Sequence, residues 1–353
     1  MRSQADIRRI ATIGVTTLVL IGLLLLGTMA QVPFVAMGPG PTVNTLGDVD
    51  VAMPDGKVVS KPVIQIEGAP VDPTTGNLNL TTVAVSDGLS LFEAIGRWVQ
   101  GDYALQPRER VYPSDRSTED VHRENAALMS SSEENATLAA LHFLGKTKLV
   151  VGSVSKGGPS DGVLRVDDQI VRVAGTPVNE RAAAVELLKR AGAGKPVAVD
   201  VIRGGTPTTV TVVPAATGEN GTPQLGIGLT LRNADPALKI TFTVGDIGGP
   251  SAGLMMSLAV VDKLSTGELT GGKFVAGTGT IDPDGDVGVI GGITHKTRAA
   301  RDAGATVFLV PEGNCAEAAS DRPDGLELVK VSTLNGAVDS LNTITRGGQV
   351  PHC

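Results

Sequence analysis

The chain has 353 residues, with 37 Asp and Glu against 30 Lys and Arg, for a net charge of -7. That length exceeds one ordinary domain, so more than one hydrophobic core is expected. Only one Trp and two Tyr are present, and no basic run carries interleaved aromatics, which argues against nucleic acid as a partner; 41% hydrophobic residues rule out a disordered chain.

The N-terminus carries the clearest topological signal. Arg2, Arg8 and Arg9 precede an uncharged stretch from Ile10 to Ala30, and the next charge is Asp48. About 20 apolar residues suffice to cross a bilayer core as a helix, and arginines stay on the cytoplasmic side. The pattern predicts a cytoplasmic tail over 1–9, a single transmembrane helix over 10–32 in the cell membrane, and the bulk of the chain outside the cytoplasm. A cleaved signal peptide is the alternative, with Thr28-Met29-Ala30 as its small-residue site. Both readings export the remainder. Export permits a disulfide between the two cysteines, Cys315 and Cys353, against the alternative of two free thiols. His122, His142, His295 and His352 show no ligand spacing, so no metal site is expected.

Residues 38–130 read as a membrane-proximal α/β region. Gly38-Pro-Gly-Pro-Thr42 predicts a rigid, turn-rich exit from the membrane. Val63–Ile66 is a β-type run, Leu89–Val99 has helical periodicity, and the charged, proline-containing stretch 105–120 predicts a surface loop. Ser131 with Glu134 forms a capping box for a helix ending at Gly145.

Residues 131–215 read as a separate β-rich unit. Strands are predicted over Leu149–Val154 and Asp168–Val173, a helix over Glu180–Arg190, and a closing hairpin around Gly204-Gly205. The segment GGPSDGVLRVDDQIVRVAGTPV and the helix after it resemble a PDZ domain. The resemblance implies that a peptide strand adds to a sheet edge beside the helix, with the carboxylate-binding loop near Phe143–Lys148. Asp167 stands where that family usually has Gly.

Residues 223–345 form the last unit, with strand signals alternating with two strongly marked helices, and 346–353 are a tail. In Gly248-Gly-Pro-Ser-Ala-Gly253, two glycines permit a tight turn and Pro250 suits a first helical turn. The helix that follows is apolar on nearly every side and therefore buried. Ser251 sits where its free N–H groups and positive dipole end gather. A nucleophile whose attack creates an oxyanion needs that setting, with Gly249, Pro250 and Ala252 as the turn and oxyanion residues. The simpler alternative is a serine capping a core helix. Gly157-Gly-Pro-Ser160 repeats the string without a buried helix after it, and reads as an ordinary turn.

A serine nucleophile needs a base. On a helical wheel for Ile293–Gly304, Ile293, Ala299, Ala300, Ala303 and Gly304 share one face, and Lys296 falls in its middle. A lysine there is costly unless paired or neutral, and burial depresses its pKa. A neutral amine can serve as the base; a lysine snorkelling to the surface is the alternative. Asp282-Pro-Asp-Gly-Asp286 begins like a calcium loop, but Val287 and Ile293 occupy the positions that need Gly and Glu. A hairpin turn at Gly285 is the better reading.

The string GGPSAG…TGT…GVIGGITHKTRAARDAGATVFLVPEGN resembles the proteolytic domain of the Lon family, serine-lysine peptidases of family S16. The resemblance implies Ser251 as nucleophile, Lys296 as general base and Thr278 as a supporting residue that hydrogen-bonds the lysine. Thr280 replaces the family's usual Glu, and Gly248 stands where many members have Asp. Together with the anchor and the PDZ-like unit, the chain resembles the bacterial membrane-anchored PDZ–Lon-like proteases. The fold class this implies is multidomain α+β: a transmembrane helix, a β-rich PDZ-like domain and a C-terminal Lon-type α/β proteolytic domain. The implied activity is a membrane-anchored serine endopeptidase acting on exported or unfolded proteins. No G-x-x-x-x-G-K-[ST] string occurs, so ATP independence and no cofactor are expected. Partners would be protein or peptide substrates, the membrane, and, by resemblance alone, further copies in a homo-oligomeric ring such as a hexamer. The rival from another class is a catalytically silent exported scaffold that binds peptides through its PDZ unit. Natural substrate, cleavage preference and PDZ ligand are not encoded in recognisable form.

Overall fold

The computed structural model describes residues 4–52, 56–245 and 247–353; Arg2 lies outside them. The first helix, α1 (Gln4–Met29), contains the apolar stretch Ala11–Met29, with a mean hydropathy of 2.1. At 1.5 Å per residue its 19 residues extend about 29 Å, the thickness of a bilayer core. Its side chains are almost all exposed. The hydroxyls of Thr12, Thr16 and Thr28 donate to carbonyls four residues back.

β1 (Phe34–Asn44) follows at once. The Gly-Pro segment predicted as a turn is thus part of a strand. The two prolines are tolerated because pairing with β5 is irregular between Pro39 and Thr42. β2 (Asp48–Ala52) and β3 (Val58–Pro62) form a hairpin, β4 (Ile64–Glu67) pairs later in the chain, and β5 (Asn77–Ser86) runs antiparallel to β1. α2 (Leu91–Gln100) starts with a Ser90–Glu93 capping box and ends at left-handed Gly101. β6 (Ala104–Pro107) adds to the other edge of β1.

α3 (Thr118–Phe143) is longer than predicted. Ser117 caps it by accepting from the Asp120 N–H at 3.0 Å. Ser131 and Glu134 lie inside the helix, so the capping box expected there does not exist; a Ser-x-x-Glu string within a continuous helix has the same spacing. The segment expected to be a loop therefore holds β6 and ends at the start of α3.

β7 (Thr147–Val154), β8 (Gln169–Val173), β9 (Thr176–Pro177), α4 (Arg181–Ala191), β10 (Val197–Arg203) and β11 (Thr206–Val212) follow. Their sheet has the order β11-β10-β8-β7-β12, with β9 on β8. The edge strand β12 (Ile227–Asn233) lies beyond the boundary expected at residue 215. Leu149, Val151, Ile170, Val199 and Leu188 meet in a core of its own. Asp167, in place of the usual Gly, adopts φ 72°, the conformation that favours glycine. Its carboxylate pairs with Arg232 at 2.8 Å. Buried Asp168 accepts from Arg203 at 2.8 and 2.7 Å, and that guanidinium holds its carboxyl below the usual range.

The rest of the chain completes a second unit. β13 (Lys239–Phe242) pairs with β4. α5 (Gly253–Leu264), β14 (Phe274–Gly277), the hairpin β15 (Thr280–Ile281) and β16 (Val287–Gly288), α6 (Ile293–Asp302), β17 (Val307–Pro311), α7 (Cys315–Ser320), β18 (Glu327–Val331) and α8 (Leu334–Thr345) follow. The main sheet has the order β18-β17-β14-β5-β1-β6. Strands from the membrane-proximal region therefore form half of the sheet that carries the C-terminal helices. Alternate residues face opposite sides. Val275, Val307 and Leu309 pack with Leu78 and Leu80 against α5, α3 and α8. Ala276, Phe308 and Val310 pack against α6 and α7. Cys315 and Cys353 form a disulfide, and the tail it ties down runs beside β18, where Lys330 N–H donates to Pro351 O.

Candidate active site

Ser251 lies in the turn that enters α5. Gly249 makes that turn with φ 87°, which a side chain would strain. Its N–H donates to Asn125 O at 3.0 Å. Ser132 Oγ, on α3, donates to Pro250 O at 3.0 Å. The Ser251 carbonyl accepts from Gly279 N–H and from Thr278 Oγ1, both at 2.9 Å. The turn is thus held by α3 on one side and the end of β14 on the other. Helix α5 behind it is buried from Gly253 to Asp262, as an apolar sequence with no polar face requires.

Lys296 projects from α6, whose first turn begins at Gly292 with φ 68°. Ile293, Lys296, Thr297, Ala299 and Ala300 are its buried positions. Lys296 is 3% exposed. Its Nζ lies 2.8 Å from Ser251 Oγ, 2.8 Å from Thr81 O and 3.2 Å from Thr278 Oγ1. None of the three is a carboxylate. Burial therefore pushes the amine down from 10.5 to about 8.

The contacts define a role for each atom. Thr81 O can only accept, so Nζ donates to it. Thr278 spends its proton on Ser251 O, so its oxygen also accepts from Nζ. A neutral amine has two N–H bonds and one lone pair; with both bonds used, the lone pair is left for the Ser251 hydroxyl. The arrangement can take a proton from Ser251 without help from any acid. His295 makes no hydrogen bond to Ser251 among the described residues.

The structure brings together Ser251, Lys296 and Thr278. Gly249 and Pro250 serve the turn, since Gly249 N–H is engaged and Pro250 has none. The N–H groups of Ser251 and Ala252 remain at the helix start. Sequence reasoning missed Thr81, Ser132 and Asn125. Thr81 and Asn125 contribute backbone carbonyls, which no side-chain pattern announces. The pair faces a cleft of about 730 Å³, walled by Met37 and Pro41 of β1, Thr81–Val83 of β5 and Val289–Gly292 before α6. The Asp282–Asp286 segment is the β15–β16 turn: Asp282 accepts from the Asp284 and Asp286 N–H groups at 3.0 and 2.9 Å.

A second groove, of about 320 Å³, lies beside α4. Ala184, Val185 and Leu188 line one wall, and Thr222–Leu229 the other. The loop expected near Phe143–Lys148 is not at this groove. That segment ends α3 and begins β7, and the strand beside the helix is β12.

Residues 120–213 match the PDZ domain family, and residues 238–341 match the Lon protease (S16) C-terminal proteolytic domain. The chain therefore carries a PDZ domain followed by a Lon-type proteolytic domain. Lon protease 2 of Bacillus subtilis (strain 168) is 31% identical over 112 residues, covering 31% of this chain and 20% of that protein. The archaeal Lon protease of Methanothermobacter thermautotrophicus is 30% identical over 114 residues, covering 32% of this chain and 17% of that protein. The chain thus matches only about a fifth of these relatives' length. Among solved structures, the PDZ domain of an SdrC-like protein from Listeria monocytogenes aligns at 23% identity and a TM-score of 0.23, covering 24% of this chain and 87% of that one.

Proposed function

We propose that the chain is a serine endopeptidase that cuts with Ser251 as nucleophile and Lys296 as general base. The observation that carries this is the 2.8 Å approach of a buried amine to the Ser251 hydroxyl, with no carboxylate among the amine's hydrogen-bond partners in the described residues. Neutral Lys296 takes the Ser251 proton as Oγ attacks the peptide carbonyl. The oxyanion is received by the N–H groups of Ser251 and Ala252. The protonated amine passes its proton to the departing amino group, and an acyl-enzyme remains. Lys296, neutral again, deprotonates the water that releases it.

Thr278 and Thr81 O act as positioning groups that aim the lone pair. Helix α1 holds the enzyme in the membrane with the cleft on the outer side. The α4 groove holds a substrate or partner strand. Without a nucleotide motor in this chain, the substrates are segments already extended or unfolded, and cleavage proceeds without ATP. Ser251→Ala, compared with wild type on casein in nucleotide-free buffer, tests the reading. Loss of cleavage in the variant alone is the expected result. Equal residual cleavage in both would instead leave a silent peptide-binding scaffold.

A further inference from the structure

α2 turns the wrong face outward for a soluble protein. Leu91, Phe92, Ile95, Trp98 and Val99 fall at i, i+1, i+4, i+7 and i+8, a single apolar stripe. Each is at least 43% exposed, and Trp98 and Val99 reach 66% and 73%. The buried residue of this helix is the small Ala94. Adjacent large apolar side chains left in this way mark a docking surface.

The place of the stripe says what covers it. Immediately after α1, Gln31 bridges Ser90 and Val32 N–H donates to Leu89 O at 2.9 Å, so the chain leaving α1 passes the N-terminus of α2. The Phe92 ring packs on Gly27, where a Cβ would lie 2.4 Å from a ring carbon. The stripe thus starts where the apolar stretch of α1 ends. Tryptophan and phenylalanine at such a level suit the boundary between headgroups and acyl chains.

We propose that α2 lies in the outer interfacial layer of the bilayer, with Leu91, Phe92, Ile95, Trp98 and Val99 seated among lipid headgroups and upper acyl chains. The proposal rests on α1 being a membrane anchor. It adds a second attachment, in the plane of the membrane, that fixes how the catalytic unit stands on the surface. From Phe34, beside α1, to Met37, on the cleft wall, β1 advances three residues, about 10 Å. Arg298 of α6 donates to Gly101 O at 2.9 Å, tying the end of α2 to the helix that carries Lys296. An enzyme seated this way meets polypeptide at the membrane surface first.

Trp98 is the chain's one tryptophan, so tryptophan emission, excited apart from the tyrosines, reads this helix alone. The full chain is reconstituted into phosphatidylcholine vesicles with and without brominated acyl chains, and the same samples are floated on a density gradient. The expected result is blue-shifted Trp98 emission that is largely lost with brominated lipid and resists aqueous iodide. In Phe92→Glu/Val99→Glu, Trp98 should become open to iodide and insensitive to bromine. Wild-type chain that floats with the vesicles while its emission ignores bromine overturns the proposal and leaves the anchor intact. Emission that ignores bromine but shifts red as the chain is diluted in lipid also overturns it, since a second copy would then cover the stripe. Chain that does not float removes the anchor and this seat together.

Discussion

Replacing Lys296 with methionine should abolish cleavage and, at the same time, remove a pH-dependent weakness from the fold. Folding holds this amine near 8 against an ordinary 10.5. Between those values the unfolded chain binds more protons than the folded one, so stability rises with pH across that window. Below about 8 both states are protonated and the full penalty stands. At 1.36 kcal/mol per pH unit, the drop corresponds to about 3 kcal/mol. The variant also leaves Thr81 O without its Nζ donor, a loss of about 1–3 kcal/mol at any pH. The two effects oppose each other at neutral pH, so the sign of a single comparison there decides little. Their pH dependence differs, and that is the diagnostic. Urea unfolding of both detergent-solubilised chains, followed by circular dichroism from pH 7 to 10.5, should show wild type gaining about 3 kcal/mol relative to Lys296→Met. A difference that stays constant with pH would refute a buried, neutralised lysine.

Peptide cleavage should rise with pH and reach half its plateau near pH 8, where the lysine is half neutral; a profile still climbing at the ordinary lysine value of 10.5 would remove Lys296 as the base. Thr278→Val removes an acceptor for Nζ and a donor to Ser251 O. Losing the bond to Nζ at the reacting centre is worth about 1.4 kcal/mol, so kcat/KM should fall about tenfold; unaltered kcat/KM would deny Thr278 its positioning role.

The candidate site was legible in part because the groups it brings together are side chains on short, strongly patterned segments. Ser251 stands at the head of an all-apolar helix, and Lys296 interrupts an otherwise apolar helical face. The helical periodicity around Leu89–Val99 and Glu180–Arg190 likewise corresponds to α2 and α4, because local spacing alone decides it. What escaped depends on partners far along the chain. Thr81 reaches Lys296 across 215 residues through a backbone carbonyl. β1 is a strand despite Gly38-Pro-Gly-Pro41 because β5 and β6 flank it. Ile227–Asn233 joins the PDZ sheet through its pairing with β7, not through any local signal. The apolar residues of α2 were visible in the sequence, but only the fold shows that they face outward beside α1.

Every step proposed for cleavage requires the Ser251 hydroxyl to be activated by Lys296. The most direct test is mass spectrometry of the wild-type chain and Lys296→Met after treatment with a peptidyl phosphonate, with tryptic mapping of the adduct. A single adduct on the peptide containing Ser251 in wild type, and none in the variant, is the predicted result. An unmodified Ser251 in a folded wild-type chain that still cleaves peptide, or equal labelling of both chains, would contradict the account.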